Sequence, residues 1–212
     1  AAGRDPGRFS KVGDCQNVSG KNYFLYNFDH PDWYSLGADY AYLQPTIDHF
    51  SGSWSRVSLA VKGAQNVAAA LSPFWADPNQ CDPDETPVAC EIRVYNPSII
   101  LISLEEHREK DTVKYEQYLR QIVEYALSQN VVPILATRAE LPDNPTSINA
   151  AVARIAYEYE LPLWNFWAAA DPLPSHGVRD GFHLTSYDVD LNFFFDNPES
   201  MVGKGRSHEY SA

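Results

Sequence analysis

Two short, unbroken apolar runs, SIILIS at Ser98–Ser103 and VVPILAT at Val131–Thr137, each stand next to a segment whose apolar residues recur at helical spacing. After Asp111 and Thr112 the stripe is Leu119, Ile122, Val123, Ala126 and Leu127; farther on it is Ile148, Ala151, Val152, Ile155 and Ala156. A strand with no polar alternation suits a sheet covered on both faces, and a 3.6-residue period buries one side of a helix. Their alternation predicts an α/β fold, a three-layer α/β/α sandwich around a central parallel sheet. Other segments fill in the order. Arg8–Val12 reads as a first strand, WSRVSLA as a second, and LPLWNFW as a short last strand running into Trp167. LGADYAYLQPTIDHF reads as helix interrupted at Pro45, Gly63–Leu71 as an Ala-rich helix, and 72–90 as a loop.

With 212 residues the chain suits one domain, 1–212, with a polar tail over about 200–212 that is frayed or cut short of a further element. Its formal net charge of −12, without a Lys/Arg cluster, argues against nucleic acid or an anionic membrane as partner. No apolar run reaches membrane-spanning length. The opening AAGRDPGRFS carries no signal-peptide pattern and reads as a processed or trimmed N-terminus. No cofactor is expected, and the chain is expected to act as a monomer on a small molecule.

In open α/β sheets ligands collect beyond the carboxyl ends of the strands. Order and spacing alone bring Cys15, Gly63 and the run Glu105, Glu106, His107 to that rim. Cys81 and Cys90 flank the turn-rich DPDETPVA and are easily bridged, which implies an oxidising compartment; the alternative is two unpaired thiols in a cytosolic protein. Either way Cys15 is left over, and a leftover cysteine in an exported protein is a candidate reactive group. Asp180 stands three positions before His183 in a glycine-containing turn, where it can accept a hydrogen bond from the imidazole and leave the other ring nitrogen as a base. With a thiol elsewhere, that is a nucleophile, a base and an orienter.

Gly13-Asp14-Cys15 near the start and Asp180-Gly-Phe-His183 near the end together resemble the SGNH/GDSL hydrolase superfamily, whose members open on Gly-Asp-Ser after the first strand and close on Asp-x-x-His. The likeness extends over roughly residues 8 to 200: Gly63 in AVKGAQNVAAAL matches the second-block glycine, YNPSIILISLEEHR the strand leading to the third block, and LPLWNFWAAADPLP the run-up to the last. It resembles exported bacterial members with a Cys–Cys loop in the same place. The resemblance implies a flavodoxin-like sandwich and hydrolysis or transfer of an acyl group from an ester or thioester. Cys15 takes the place of the nucleophilic serine, His183 is the general base and Asp180 its orienter. The Cys15 and Gly63 amides and His107 form the oxyanion hole, with Asp14, Glu105 and Glu106 lining the site. Carbohydrate esters are the substrate class the family suggests, and a secreted or extracytoplasmic location follows from the exported members.

Two positions depart from the family. Cys15 replaces serine, and Glu105-Glu106-His107-Arg108 stands where the family has Gly-Thr-Asn-Asp. An imidazole N–H can donate to an oxyanion, whereas adjacent carboxylates oppose one, and loss of one donor costs ~10²–10³ in rate. Two other classes therefore stay open: a binding module that kept the pocket without the chemistry, and a metal-dependent activity on Cys15, His107 and His183 with Glu105 or Glu106. Trp33, Tyr34, Trp54 and Trp75 can stack on sugar rings but are read first as packing residues. The sequon at Asn17 is read as incidental.

Overall fold

The computed structural model describes residues 3–20, 25–105, 111–142, 144, 146–179 and 183–184. Their strands are β1 (Asp5–Gly13), β2 (Pro97–Ser103), β3 (Val132–Ala136) and β4 (Leu163–Trp164), paired in parallel in the order β1-β2-β3-β4. Helices α1 (Gly37–Tyr40) and α2 (Gln44–His49) are short; α3 (Pro87–Tyr95), α4 (Thr112–Ser128) and α5 (Asn149–Glu158) lie between the strands, and α6 (Phe166–Ala170) follows β4.

Parallel strands laid down in one direction by right-handed crossovers put their connecting helices on one face. That is where α3, α4 and α5 sit. Val12, Ile102 and Leu135 lie in register across β1, β2 and β3, and they share one core with Val88 and Ile92 of α3, Leu119 and Ile122 of α4, and Val152 and Ile155 of α5. On the opposite face Phe9 meets Trp54 at 4.7 Å and Phe50 at 5.5 Å, and Trp54 also packs on Phe28. Ile99 and Leu101 on that side of β2 are half-buried. The apolar run of β2 thus alternates in burial instead of being sealed equally on both sides.

Helix α4 starts where Asp111 accepts the N–H groups of Val113 and Lys114, at 3.1 and 3.0 Å, which satisfies donors orphaned at the helix start. Its inward stripe begins at Tyr115, whose hydroxyl donates to the Leu104 carbonyl at 2.9 Å; Leu127, expected in the stripe, is exposed. That bond anchors the carboxyl end of β2, next to the site.

Three expectations fail, the first two because side chains took over backbone hydrogen bonding. WSRVSLA forms no strand. Ser58 donates to the Lys11 carbonyl at 2.6 Å, the Leu59 N–H goes to Glu91, and only a bridge between Gly13 and Val61 remains. Gly63–Leu71 yields only a 3₁₀ turn at Ala69–Leu71. Gln65 is buried and donates to the Ala60 and Gly13 carbonyls, and Asn66 accepts the Ala69 N–H at 2.9 Å, so local polar bonds displace the alanine-rich helix. The helix at 37–49 breaks at the 3₁₀ turn Ala41–Leu43, while Pro45 sits in the first turn of α2, where its missing N–H costs nothing.

The 72–90 loop also ends early, because Thr86 caps α3 and Pro87 opens it. Cys81 and Cys90 are disulfide-bonded, tying that loop to α3. Among the described residues no helix is long and apolar enough to cross a membrane.

Candidate active site

Strand β1 stops because Asp14 turns the chain into the 3₁₀ turn Cys15–Asn17 and caps it. The Asp14 carboxylate accepts the Gln16 N–H at 2.9 Å through Oδ1. Through Oδ2 it accepts the Glu105 N–H at 3.1 Å, just beyond the end of β2. Asn17 folds back and accepts the Asp14 N–H at 3.1 Å. A Cβ on Gly13 would lie 2.0 Å from Asn17 Oδ1, so close approach of the amide requires glycine there. Asp14 and Asn17 are both only 2% exposed. The sequon asparagine is therefore an internal strut with its amide facing inward.

Cys15, partly buried, heads this turn. Glu105 is 3% exposed and accepts from Gln16 Nε2 at 2.8 Å, while its backbone bridges to Asn66. The Gly13 carbonyl accepts the Lys62 N–H at 3.4 Å and Gln65 Nε2 at 3.3 Å, which brings the 62–66 turn and Gly63 to the end of β1. Gly63 is exposed, and a side chain there would meet nothing within 4 Å. Glycine at 63 is thus not demanded by crowding.

Leu184, the neighbour of His183, reaches the same rim from the far end of the chain. The Arg179 N–H donates to the His183 carbonyl at 3.0 Å, and Val178 bridges to Leu184, closing the turn. Leu184 is buried with Ala139, Ala170 and Val178. Asp180, Glu106 and His107 lie outside the described residues.

A pocket of about 30 Å³, room for roughly two waters, opens over the carboxyl ends of the strands. Asp14, Gln16, Glu105, Arg138, Trp164 and Leu184 are among its walls. The sequence reading missed Arg138, Thr137 and Gln16. The first two follow β3 directly, so the carboxyl-end rule applied to VVPILATR would have found them. Thr137 serves the scaffold: its hydroxyl accepts the Trp167 N–H at 2.9 Å and donates to Asn165 Oδ1 at 3.2 Å.

The early aromatics pack as expected. Trp33 stacks on His30 at 4.1 Å, Tyr34 meets Phe28 edge-on, and Lys62 lies over Trp75. Among the described residues, the group of Cys, His, Asp and Glu close enough to hold an ion is Cys81, Glu85 and Cys90, whose two sulfurs are spent on the disulfide.

No family model matches the chain, and no curated protein matches it. Among solved structures it is similar to a GDSL-like lipase of Bacteroides thetaiotaomicron, 13% identical, over 87% of this chain and 78% of that one, with a TM-score of 0.48. It is also similar to a psychrotrophic esterase, EstA, of a Pseudoalteromonas species, 16% identical, over 82% of this chain and 85% of that one, with a TM-score of 0.47.

Proposed function

We propose that the chain is an SGNH-type hydrolase or acyltransferase that uses Cys15 as its nucleophile. The observation that carries this reading is the turn at the end of β1. There Asp14 caps the 3₁₀ turn headed by Cys15 and is bonded to the end of β2, above a pocket that Leu184, the neighbour of His183, also lines. A nucleophile at the carboxyl rim of a parallel sheet, on a turn its own neighbours hold rigid, is pre-positioned for attack.

In this reading His183 takes the Cys15 proton while the sulfur bonds to the carbonyl carbon of an ester or thioester. The carbonyl oxygen gathers the charge, facing the Cys15 and Gly63 amides and His107. As the tetrahedral adduct collapses, the bond to the leaving group breaks and His183 returns the proton to it, leaving an S-acyl enzyme. Water or an acceptor alcohol then attacks, with His183 again as base, and the thiol is restored. Asp180 orients the imidazole. The substrate is a small-molecule or carbohydrate ester, and the Cys81–Cys90 disulfide supports an extracytoplasmic setting.

A binding module without turnover is favoured by one observation. Glu105 buries a carboxylate in the pocket wall, where it opposes negative charge on a bound carbonyl oxygen.

One experiment separates the two: burst and steady-state hydrolysis of an activated acetyl ester by the native chain, Cys15→Ser and Cys15→Ala, with intact mass read in parallel. Turnover with an acetyl adduct on the native thiol, both lost in Cys15→Ala, is the expected result. No adduct and no turnover in any variant overturns the catalytic reading in favour of the binding module.

A further inference from the structure

Arg138 stands two residues past the end of β3 and lines the pocket that Asp14 and Gln16 of the Cys15 turn also line. Its backbone is clamped from both sides by one side chain. The Arg138 N–H donates to Asn149 Oδ1 at 2.8 Å, and its carbonyl accepts from Asn149 Nδ2 at 2.9 Å. Asn149 is itself held at 2.8 Å by Glu140, a buried carboxylate that also receives Asn144 and Ser147. The root of the arginine is therefore fixed by a polar network that leaves the guanidinium out.

That guanidinium is unusual in this chain. Arg56 closes on Glu91, Arg93 on Glu85, and Arg120 and Arg154 on Glu116. Arg138 has no ion pair among the described residues, and its Nε is enclosed by protein without a hydrogen-bond partner. A desolvated donor left unmatched is costly, and because Arg138 also lines the pocket, an acceptor bound there would supply what the protein does not.

The walls also say which acceptor. Asp14 and Glu105, both buried, share this pocket, so a dianion such as phosphate meets two like charges across a small volume. A carboxylate carries one charge, is planar, and matches the guanidinium fork with two parallel hydrogen bonds. The space takes roughly two water-sized groups, as the two oxygens of a carboxylate are.

We infer that Arg138 is a specificity-determining residue that receives a carboxylate on the substrate, so that the esters taken by this site are acidic ones, such as half-esters of a dicarboxylic acid. The word substrate rests on the acyl-transfer reading above; the carboxylate site does not. Gln16 and Asp14 flank Cys15 and line the same pocket, so a carboxylate held by Arg138 sits within one small molecule's length of the thiol turn.

The test has two independent readouts. In the first, the arginine Nε–H resonances of ¹⁵N-labelled native protein are followed as succinate is added. One resonance is expected to shift saturably, and that shift to be missing in Arg138→Met. In the second, kcat/KM is compared for mono-4-nitrophenyl succinate and 4-nitrophenyl butyrate, which differ at the far end in charge. The succinate-to-butyrate ratio is expected to fall about tenfold in Arg138→Met and to recover in part in Arg138→Lys, which keeps the charge without the fork. Melting curves of both variants show whether they are folded, and the titration of native protein needs neither. A succinate shift in a protein that hydrolyses neither ester supports the carboxylate site and removes the acyl-transfer reading. Hydrolysis with an unchanged ratio in Arg138→Met and no succinate shift overturns the carboxylate site and leaves hydrolysis standing.

Discussion

Replacing Gly13 with alanine tests how the Cys15 turn is built. The new Cβ would stand 2.0 Å from Asn17 Oδ1, 2.3 Å from its Cγ and 2.6 Å from its Cβ, all inside the closest real approach of such atoms. Asn17 cannot swing freely aside, being 2% exposed and engaged with the Asp14 N–H. Overpacking of this kind costs ~1–3 kcal/mol. Displacing the amide adds ~1 kcal/mol or more, because a buried N–H loses its acceptor. Gly13→Ala is therefore expected to lose ~2–4 kcal/mol, a large share of a stability of ~5–15 kcal/mol for a domain.

The compensating change follows from the same distances. Asn17→Ala removes the amide but keeps the Cβ at 2.6 Å, so it does not relieve the clash, whereas Asn17→Gly removes all three atoms. Urea unfolding of Gly13→Ala, Asn17→Gly and the double variant forms a cycle in which the double variant is expected to be about as stable as Asn17→Gly alone. The coupling then equals in size the whole cost of Gly13→Ala, ~2–4 kcal/mol. Alkylation of Cys15, the cysteine outside the disulfide, reports on the turn in the same samples. Additivity within ~0.5 kcal/mol would refute the reasoning, since it would mean that Asn17 is not what position 13 accommodates.

Other expectations concern the scaffold. Arg56→Met should cost ~3–5 kcal/mol in urea unfolding, because it leaves the fully buried Glu91 carboxylate with only Ser10 and the Leu59 N–H; a loss under 1 kcal/mol would mean that Glu91 is neutral. Burial, with Arg56 nearby, holds the Lys11 ammonium down to about 8, against the opposing pull of Asp29. Between that value and the ordinary lysine range the unfolded chain binds the extra proton, so stability rises with pH. The native protein should gain up to ~3 kcal/mol over Lys11→Met from pH 7.5 to 10, and a flat or falling difference between the two would contradict this. Opening the Cys81–Cys90 bridge, which closes a nine-residue separation, should lower stability by ~2.5 kcal/mol in unfolding with and without reductant.

The parts of the fold legible in the sequence are those where local pattern and tertiary demand agree. SIILIS and VVPILAT became β2 and β3, and the 148–156 stripe is buried as written, since burial of an apolar face is what both the period and the sheet require. The carboxyl-end rule likewise located the rim that bears Cys15 and Glu105, because strand order alone decides where loops converge. The sequence was silent where a distant side chain supplies the hydrogen bond. Neither WSRVSLA nor GAQNVAAAL contains a sign that Lys11 and Gly13 would offer their carbonyls to Ser58 and Gln65, or that Glu91, some thirty residues on, would take the Leu59 N–H.

The same division holds at the site. Residue types and spacing marked Cys15 and His183, whose chemistry is intrinsic to a thiol and an imidazole. Only the folded chain shows that Asp14 binds the end of β2, that Asn17 and Gly13 need each other, and that Glu105 buries its carboxylate beside the turn. Arg138 is the sharpest case. An arginine after a strand reads as an ordinary surface cation, and it takes on meaning only because folding encloses its Nε and leaves it no acceptor. Burial without a partner belongs to neighbours far apart in the chain, so composition, period and motif spacing carry no trace of it.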